Sequence, residues 1–547
     1  MVWAVPVVES LDRSGSAEPE GRRALSASRT GLWALALSAG VGGLLAWAAT
    51  PTVSLVACAS AALMLVPARR EDVPRVPAFV ALACLVTFQA WLVTRGTFAW
   101  DEREVLGSAY DSLARSLRHG SVEVRPEDIQ WEAWRIGGRT FMYFGPLPAL
   151  LRMLPDWLAP SRYGLWSRPS GFLAFILCLG AIVAMARRQL AGNERLEARG
   201  RAVLFFSTVA AVGLGSSLVL VGSLANLYHE AILWGLCAAL WGVFFTLDVL
   251  RDDAQAWRSL TLLSGAAGVA FLARVTFGLP LYVLASGLAL RLLILQVWRE
   301  RQPLLTVAGR AAVALLPALA AGLFHLWYNH ARFGSPFEFA PFAAYEAARP
   351  KGVDSAFHWS RMPSGALAYF RISLENFRLG VPFLTFARPA VFRPELYRDL
   401  STLLISPLLV SPWLVMGLVG GLLLPGRPGE RRWWALCALP FAAQCLLILA
   451  YYWLAYRFTA EFLPLGVWFL AAYLRRAGEG GGVARLLSPR VFAAVVAFSV
   501  VATVTSLGHF QSLWWAYPVE YRQQLSRTFE ALDARLGLGS PGAVREK

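Results

Sequence analysis

Thr94-Arg95-Gly96-Thr97-Phe98-Ala99-Trp100-Asp101-Glu102-Arg103-Glu104 opens the longest polar interruption in the first half of an otherwise apolar chain. The interruption runs to about Arg168 and contains Gly138-Arg139-Thr140-Phe141-Met142-Tyr143-Phe144-Gly145-Pro146. Set between apolar runs, it reads as a loop on the outer side of a membrane. In that position it holds the acidic pair Asp101-Glu102 at the lip of a helix bundle.

Composition supports the membrane. Hydrophobic residues make up 57% of the 547 and charged residues only 16%, where a soluble domain carries about a quarter charged. Mean hydropathy is +0.50, and apolar runs of about 20 residues recur, long enough to span a bilayer as helices. The fold class is therefore all-α, a polytopic membrane helix bundle. The net charge of +16 does not point to nucleic acid, because the basic residues fall in short clusters between apolar runs, where they encode orientation. The six cysteines, Cys58, Cys84, Cys178, Cys237, Cys437 and Cys445, all lie inside apolar runs. They read as small hydrophobes, neither a disulfide frame nor a metal site.

Working outward from the loop, residues 1–30 read as a polar cytoplasmic tail without the apolar core of a cleaved signal peptide. Residues 31–50 and 52–68 form a hairpin turned at Pro51, and 76–94 crosses outward to the loop at 95–168. Further crossings read at 169–186, 202–221, 225–250, 259–273, 276–297 and 311–327. A second outer loop spans 328–401, and 402–424, 433–453, 458–474 and 491–506 complete the bundle. That gives about thirteen spans, and each short inner loop carries arginines, among them Arg187, Arg251, Arg299, Arg431 and Arg475. A missed span would put those clusters on the wrong side. The core domain is thus 76–506, the hairpin 31–68 an addition, and 507–547 an outer amphipathic tail.

Two stretches carry the amphipathic i, i+4, i+7, i+11 pattern: Leu106, Tyr110, Leu113 and Leu117, and Leu525, Phe529, Leu532 and Leu536. Both are expected to lie at the membrane surface, the second with Trp514, Trp515 and Tyr517 at headgroup depth.

Ionisable residues at the lip of a span are costly and therefore point to function. Besides Asp101 and Glu102, the same rim receives Tyr228-His229-Glu230, Arg274, and Arg457 with Glu461. One carboxylate of the loop pair, with Asp101 ahead, can take a proton from an acceptor hydroxyl while the other orients it or holds a divalent cation. The alternative is a solvated loop start or helix cap. His229 is a proton carrier, a metal ligand or a hydrogen-bonded structural group; Glu230 lines the cavity or is structural. Arg457 and Glu461, four apart, either neutralise each other on one helix face or leave Arg457 for a phosphate, which suits a guanidinium fork. Arg274 is a similar candidate. Arg139 could bind a soluble part of a substrate, and Arg332, in Arg332-Phe333-Gly334-Ser335-Pro336, either touches a ligand or belongs to a structural turn at the membrane surface.

At these residues the chain resembles the GT-C superfamily of polyprenyl-phosphate-sugar-dependent glycosyltransferases, which includes the protein O-mannosyltransferases and the lipid A aminoarabinose transferases. The resemblance rests on an acidic pair opening the first large outer loop, on surface helices in that loop, and on many spans. Tyr228-His229-Glu230, Arg332 to Pro336, and Arg457-Phe458-Thr459-Ala460-Glu461-Phe462-Leu463-Pro464 are similar to bacterial multispan proteins grouped with that superfamily. It covers most of 76–474. Two features depart from the pattern: two spans precede the one equivalent to the family's first, and Arg103 follows the acidic pair, which weakens a metal site there.

The resemblance implies a multi-pass protein of the bacterial inner membrane with its N-terminus in the cytoplasm. It implies a donor sugar on a polyprenyl phosphate and an acceptor that is a protein, lipid or polysaccharide. Asp101 would activate the acceptor hydroxyl, and Arg274 or Arg457 would stabilise the departing lipid phosphate. Two alternatives remain open: a lipid-carrier flippase or transporter, which needs charges and broken helices at the bilayer midplane, and a non-catalytic member serving envelope assembly. The enzyme reading expects Asp101, Glu230, Arg274 and Arg457 to line one cavity.

Overall fold

The computed structural model describes residues 75–191, 193–251, 255–339, 341, 355–423, 428–478 and 487–538. The expected tail at 1–30 and hairpin at 31–68 lie outside these residues. The regular structure among the described residues is almost wholly helical, with one two-stranded hairpin, β1 (Trp134–Ile136) and β2 (Arg139–Phe141).

Eight of the described helices are long and apolar enough to cross a membrane. They are α1 (Arg75–Val93), α4 (Ser167–Ala191), α7 (Leu227–Arg251), α8 (Ala256–Ala273), α9 (Val275–Ile294), α10 (Leu304–Phe333), α13 (Pro428–Leu449) and α15 (Pro489–Leu513). The first loop contributes α2 (Ala109–Arg118) and α3 (Leu147–Leu158), and the second contributes α11 (Met362–Phe370).

Three expected crossings are shorter or interrupted. Residues 202–221 divide into α5 (Ala198–Gly213) and α6 (Ser217–Gly222). At the break Ser216 caps the second helix by accepting from Leu218 N, and Trp413 Nε1 donates to the carbonyl of Gly215 at 2.7 Å. Such breaks persist in a bundle only where neighbours take up the released backbone groups. The segment 402–424 supplies only α12 (Trp413–Leu423), and 458–474 begins as a 3₁₀ turn, Tyr456–Phe462, before α14 (Leu463–Arg476).

The helices alternate between two ends. At one end Gln89 Nε2 donates to Gly222 O at 2.7 Å and Tyr517 OH to Ser223 O at 3.0 Å. At the other, Asn193 Nδ2 donates to Leu474 O and Ala477 O at 3.0 and 2.8 Å. The long loops gather at the first end, and Arg188, Arg251, Arg299 and Arg476 fall at the second, as the alternation of arginine clusters requires. Small residues allow the close helix contacts typical of membrane bundles: a Cβ on Gly242 of α7 would come 2.5 Å from Leu281 Cδ2 of α9.

The first loop builds its own core from Tyr110, Leu113, Trp134, Phe141 and Met142, closed by Leu227 and Tyr328 of the bundle. This corrects the expectation for α2. Its apolar face is not laid on the membrane but buried in that core, Tyr110 and Leu113 being fully covered. The outward apolar face in this loop belongs instead to α3. Near the C-terminus α16 (Val519–Arg535) is largely exposed and anchored by Asp533, which accepts from Val381 N at 2.6 Å. Helix α15 runs on to Leu513, so the tail boundary expected at 507 falls inside a helix.

Candidate active site

Successive residues on a helix are rotated by about 100°, so Tyr228, His229 and Glu230 at the start of α7 point three ways. Tyr228 OH donates to Glu132 Oε1 at 2.6 Å and accepts from Trp131 Nε1 at 3.2 Å. His229 Nδ1 lies 3.0 Å from Val221 O, which fixes a proton on that nitrogen; Nε2 therefore accepts from Tyr456 OH at 2.6 Å. Glu230 is buried and accepts from Arg152 and, at 2.6 Å, from Ser170 Oγ. One short sequence thus ties together the first loop, the turn at 456–462 and α3.

The second element is that turn. On an α-helix Arg457 and Glu461 would share a face, but a 3₁₀ helix advances about 120° per residue and separates them. Glu461 turns inward, accepting from Arg274 Nε at 2.5 Å, Thr276 Oγ1 at 2.8 Å and Gln444 Nε2 at 2.6 Å. Arg457 is left with no hydrogen bond or ion pair among the described residues. Its guanidinium lies 4.7 Å from the ring centre of Tyr228 and 5.0 Å from that of Phe458.

Arg457 borders a cavity of about 390 Å³ at the loop end. Four segments far apart in sequence close it: 131–143, Tyr228, 398–403 and 451–458, with Trp514 and Trp515 completing the wall. The wall is mainly aromatic. Trp131 and Trp515 meet edge to face at its rim, ring centres 5.6 Å apart. The charged groups facing it are Glu132, Arg398, Asp399 and Arg457. Arg398 stacks on Trp453, and Asp399 accepts from Ser401 N and Oγ at 2.8 and 2.9 Å.

The loop acids that head the sequence form a separate cluster. Glu102 accepts from Arg95 and Arg168 at 3.1 and 2.7 Å, and Glu104 from the same two arginines at 2.7 and 2.6 Å. Burial pushes the Glu104 carboxyl up to about 8, against the pull of Arg95 and with the help of Glu102. Asp101 is exposed and has no hydrogen bond or ion pair among the described residues. Neither Asp101 nor Glu102 borders the cavity.

Of the residues the sequence singles out, the structure therefore brings Tyr228 and Arg457 onto the cavity. Arg274 and Glu461 neutralise each other behind Phe458, while His229 and Glu230 hold the scaffold. Arg139 is exposed and paired with Glu123 at 2.7 Å. Arg332 is buried, donating to Met142 O at 2.5 Å and Asn329 Oδ1 at 2.6 Å. Among the described residues no three His, Cys, Asp or Glu side chains gather as they would around a metal ion.

Sequence reasoning missed Glu132, Arg398, Asp399, Tyr456 and Arg152. Only Arg152 left a signal, as a charge four residues from Asp156 within an apolar helix; the others are single polar or aromatic residues in loops.

No protein-family model matches the chain, and no curated protein matches it. Among solved structures it is similar to the oligosaccharyltransferase of Archaeoglobus fulgidus in the apo form, with a TM-score of 0.43 and 12% identity over 82% of this chain and 56% of that one. It is also similar to the archaeal oligosaccharyltransferase AglB from Archaeoglobus fulgidus in complex with an inhibitory peptide and a dolichol-phosphate, with a TM-score of 0.41 and 12% identity over 80% of this chain and 56% of that one. The chain thus spans little more than half the length of either.

Proposed function

We propose that this protein transfers a sugar from a polyprenyl-phosphate donor to an acceptor hydroxyl at the loop end of the bundle. The observation that carries the reading is Arg457, a guanidinium facing an aromatic-walled cavity without an anionic partner among the described residues. A cation held on two ring faces beside a cavity is placed to receive an anion. In the transfer, the bond from the anomeric carbon to the phosphate oxygen breaks and its electron pair leaves with the phosphate. Arg457 stabilises the charge that gathers there. The acceptor oxygen bonds to the anomeric carbon and its proton passes to a carboxylate. The carboxylates that face the cavity are Glu132 and Asp399, and the acceptor proton passes to one of them; Asp101, which the sequence motif nominates, lies off that wall. The aromatic wall offers flat apolar faces to the sugar ring, and the apolar grooves between helices take the isoprenoid tail. Of Asp101, Glu230, Arg274 and Arg457, expected to line one cavity, only Arg457 does so; the motif that carries it supports the reading, and the acidic pair stands apart.

The flippase alternative requires charged groups and broken helices at mid-bundle. The break between α5 and α6 is uncharged, and the charges gather at one rim.

The test is transfer from a synthetic polyprenyl-phosphate sugar in proteoliposomes, across a panel of hydroxyl acceptors. Arg457→Ala is expected to lower kcat by about 10²-fold, the scale on which loss of one charge-stabilising donor acts, and the pair Glu132→Gln and Asp399→Asn to abolish transfer, whereas its loss on Asp101→Asn alone would return the base role to the loop acid. Arg457→Ala at wild-type rate would remove the phosphate role. Substrate counterflow in vesicles lacking any acceptor would favour the flippase.

A further inference from the structure

Helix α16 hangs on one carboxylate. Of residues 519–535 Asp533 alone is buried, at 1% exposure. The apolar stripe does not dock this end of the helix, since Leu532 and Leu536 are 38% and 59% exposed. Aspartate is a poor helix former, and a covered carboxylate costs free energy unless it is paired. Asp533 is paired to the second loop. Its Oδ1 accepts from Val381 N at 2.6 Å, and its Oδ2 lies 3.6 Å from the Arg378 guanidinium. Gly380 leaves the room for it: a Cβ there would come 2.5 Å from Oδ2.

What Asp533 grips is a closed turn. Arg378 N donates to Phe383 O at 2.8 Å, Thr385 N to Asn376 O at 3.0 Å, and Phe383 N to Gly380 O at 2.7 Å. The turn passes straight into the cavity wall, because the next residue, Phe386, borders the cavity. Its N–H donates to His509 Nδ1 at 3.0 Å, and its ring meets those of Tyr456 and Phe510, centres 5.8 and 5.6 Å away. Ala387 then exchanges two backbone hydrogen bonds of 2.8 Å with Leu404, which follows the wall segment 398–403. Arg457 is held separately, its turn fixed by Glu461 on Arg274 and by Tyr456 on His229.

We propose that Asp533 is a positioning residue for the candidate site. It fixes the turn 376–385, and through that turn Phe386 and 398–403, so that the cavity keeps its wall beside Arg457. The kinetic consequence rests on the transferase reading; the mechanical one does not.

The test uses the full chain in proteoliposomes. Asp533→Ala removes the acceptor, and Gly380→Ala wedges the same contact from the other side. In both, backbone hydrogen exchange over 376–404 is expected to speed about tenfold, the scale of one hydrogen bond to a charged group, while 456–462 keeps the wild-type rate. KM for the synthetic polyprenyl-phosphate sugar is expected to rise about tenfold with kcat within about threefold, as when binding is lost equally from ground and transition states. Asp533→Asn keeps an acceptor for Val381 N and is expected to behave as wild type. The Asp533→Ala, Gly380→Ala double variant should be no worse than the worse single one, since both release one contact. Unchanged exchange over 376–404 overturns the proposal. So does a lower kcat at unchanged KM, the mark of a smaller folded fraction, or an additive loss in the double variant. A wild-type chain that transfers nothing overturns the transferase reading alone, and the exchange comparison still decides whether Asp533 holds the wall.

Discussion

Arg457 and Glu461 share one short turn and have opposite energetic roles. Glu461 is fully covered and satisfies Arg274, Thr276 and Gln444 at once. Removing it strands a guanidinium among apolar helices, and breaking a buried pair from one side costs about 3–5 kcal/mol. Arg457 has no ionic partner among the described residues and rests on the rings of Tyr228 and Phe458, so truncating it costs about 1 kcal/mol. Glu461→Ala is therefore expected to lower the thermal midpoint in detergent by several degrees, while Arg457→Ala shifts it far less and loses transfer. Equal destabilisation by both would mean that Arg457 is a packing residue. The spacing of the two charges was legible in the sequence. Their separation was not, because it depends on a 3₁₀ geometry that the neighbours of Tyr456, above all His229, impose.

Helices α2 and α3 mark the limit of periodicity. Both carry an apolar stripe; one faces the loop's own core and the other faces outward. A stripe states that a face is covered and says nothing of what covers it. The information lay in the charges. Arg152 and Asp156 sit opposite the leucines of α3, and charges on an apolar helix are retained only where partners wait. Burial pushes the Asp111 carboxyl up from its usual range even with Arg152 opposing it. Arg152→Met removes that opposition and raises it further. A carboxyl whose folded value is raised favours the folded state at low pH, and that support is lost as pH climbs past the ordinary carboxylate range near 4. The variant's deficit relative to wild type is thus expected to be small near pH 4 and to grow toward about 3 kcal/mol by pH 8. Unfolding midpoints across that range would measure it, and a deficit independent of pH would mean that Arg152 acts through packing alone.

For the molecule as a whole, the alternation of arginine clusters was enough to order the described helices, because each crossing reverses the chain and each basic loop restricts where it can turn. The cavity was legible only in part. Glu132, Tyr228, Asp399 and Arg457 come from four segments, and no local pattern announces a contact between residues so far apart in sequence. What the alternation does fix is relative sidedness. Gly120 lies in the first loop, and Arg195 lies between α4 and α5, one crossing away. The arginine clusters at 187–201, 251–258 and 299–310 all share the end of Arg195, and cytoplasmic loops carry the basic excess. A phosphatase fused after Gly120 is therefore expected to be active outside the cytoplasm, and one fused after Arg195 inactive. A fusion after Gly537, beyond the exposed α16, should match Gly120, since an odd number of reversals separates it from Arg195. Matching activity at 120 and 195 would mean that α4 does not cross, which would dissolve the rim on which the cavity stands.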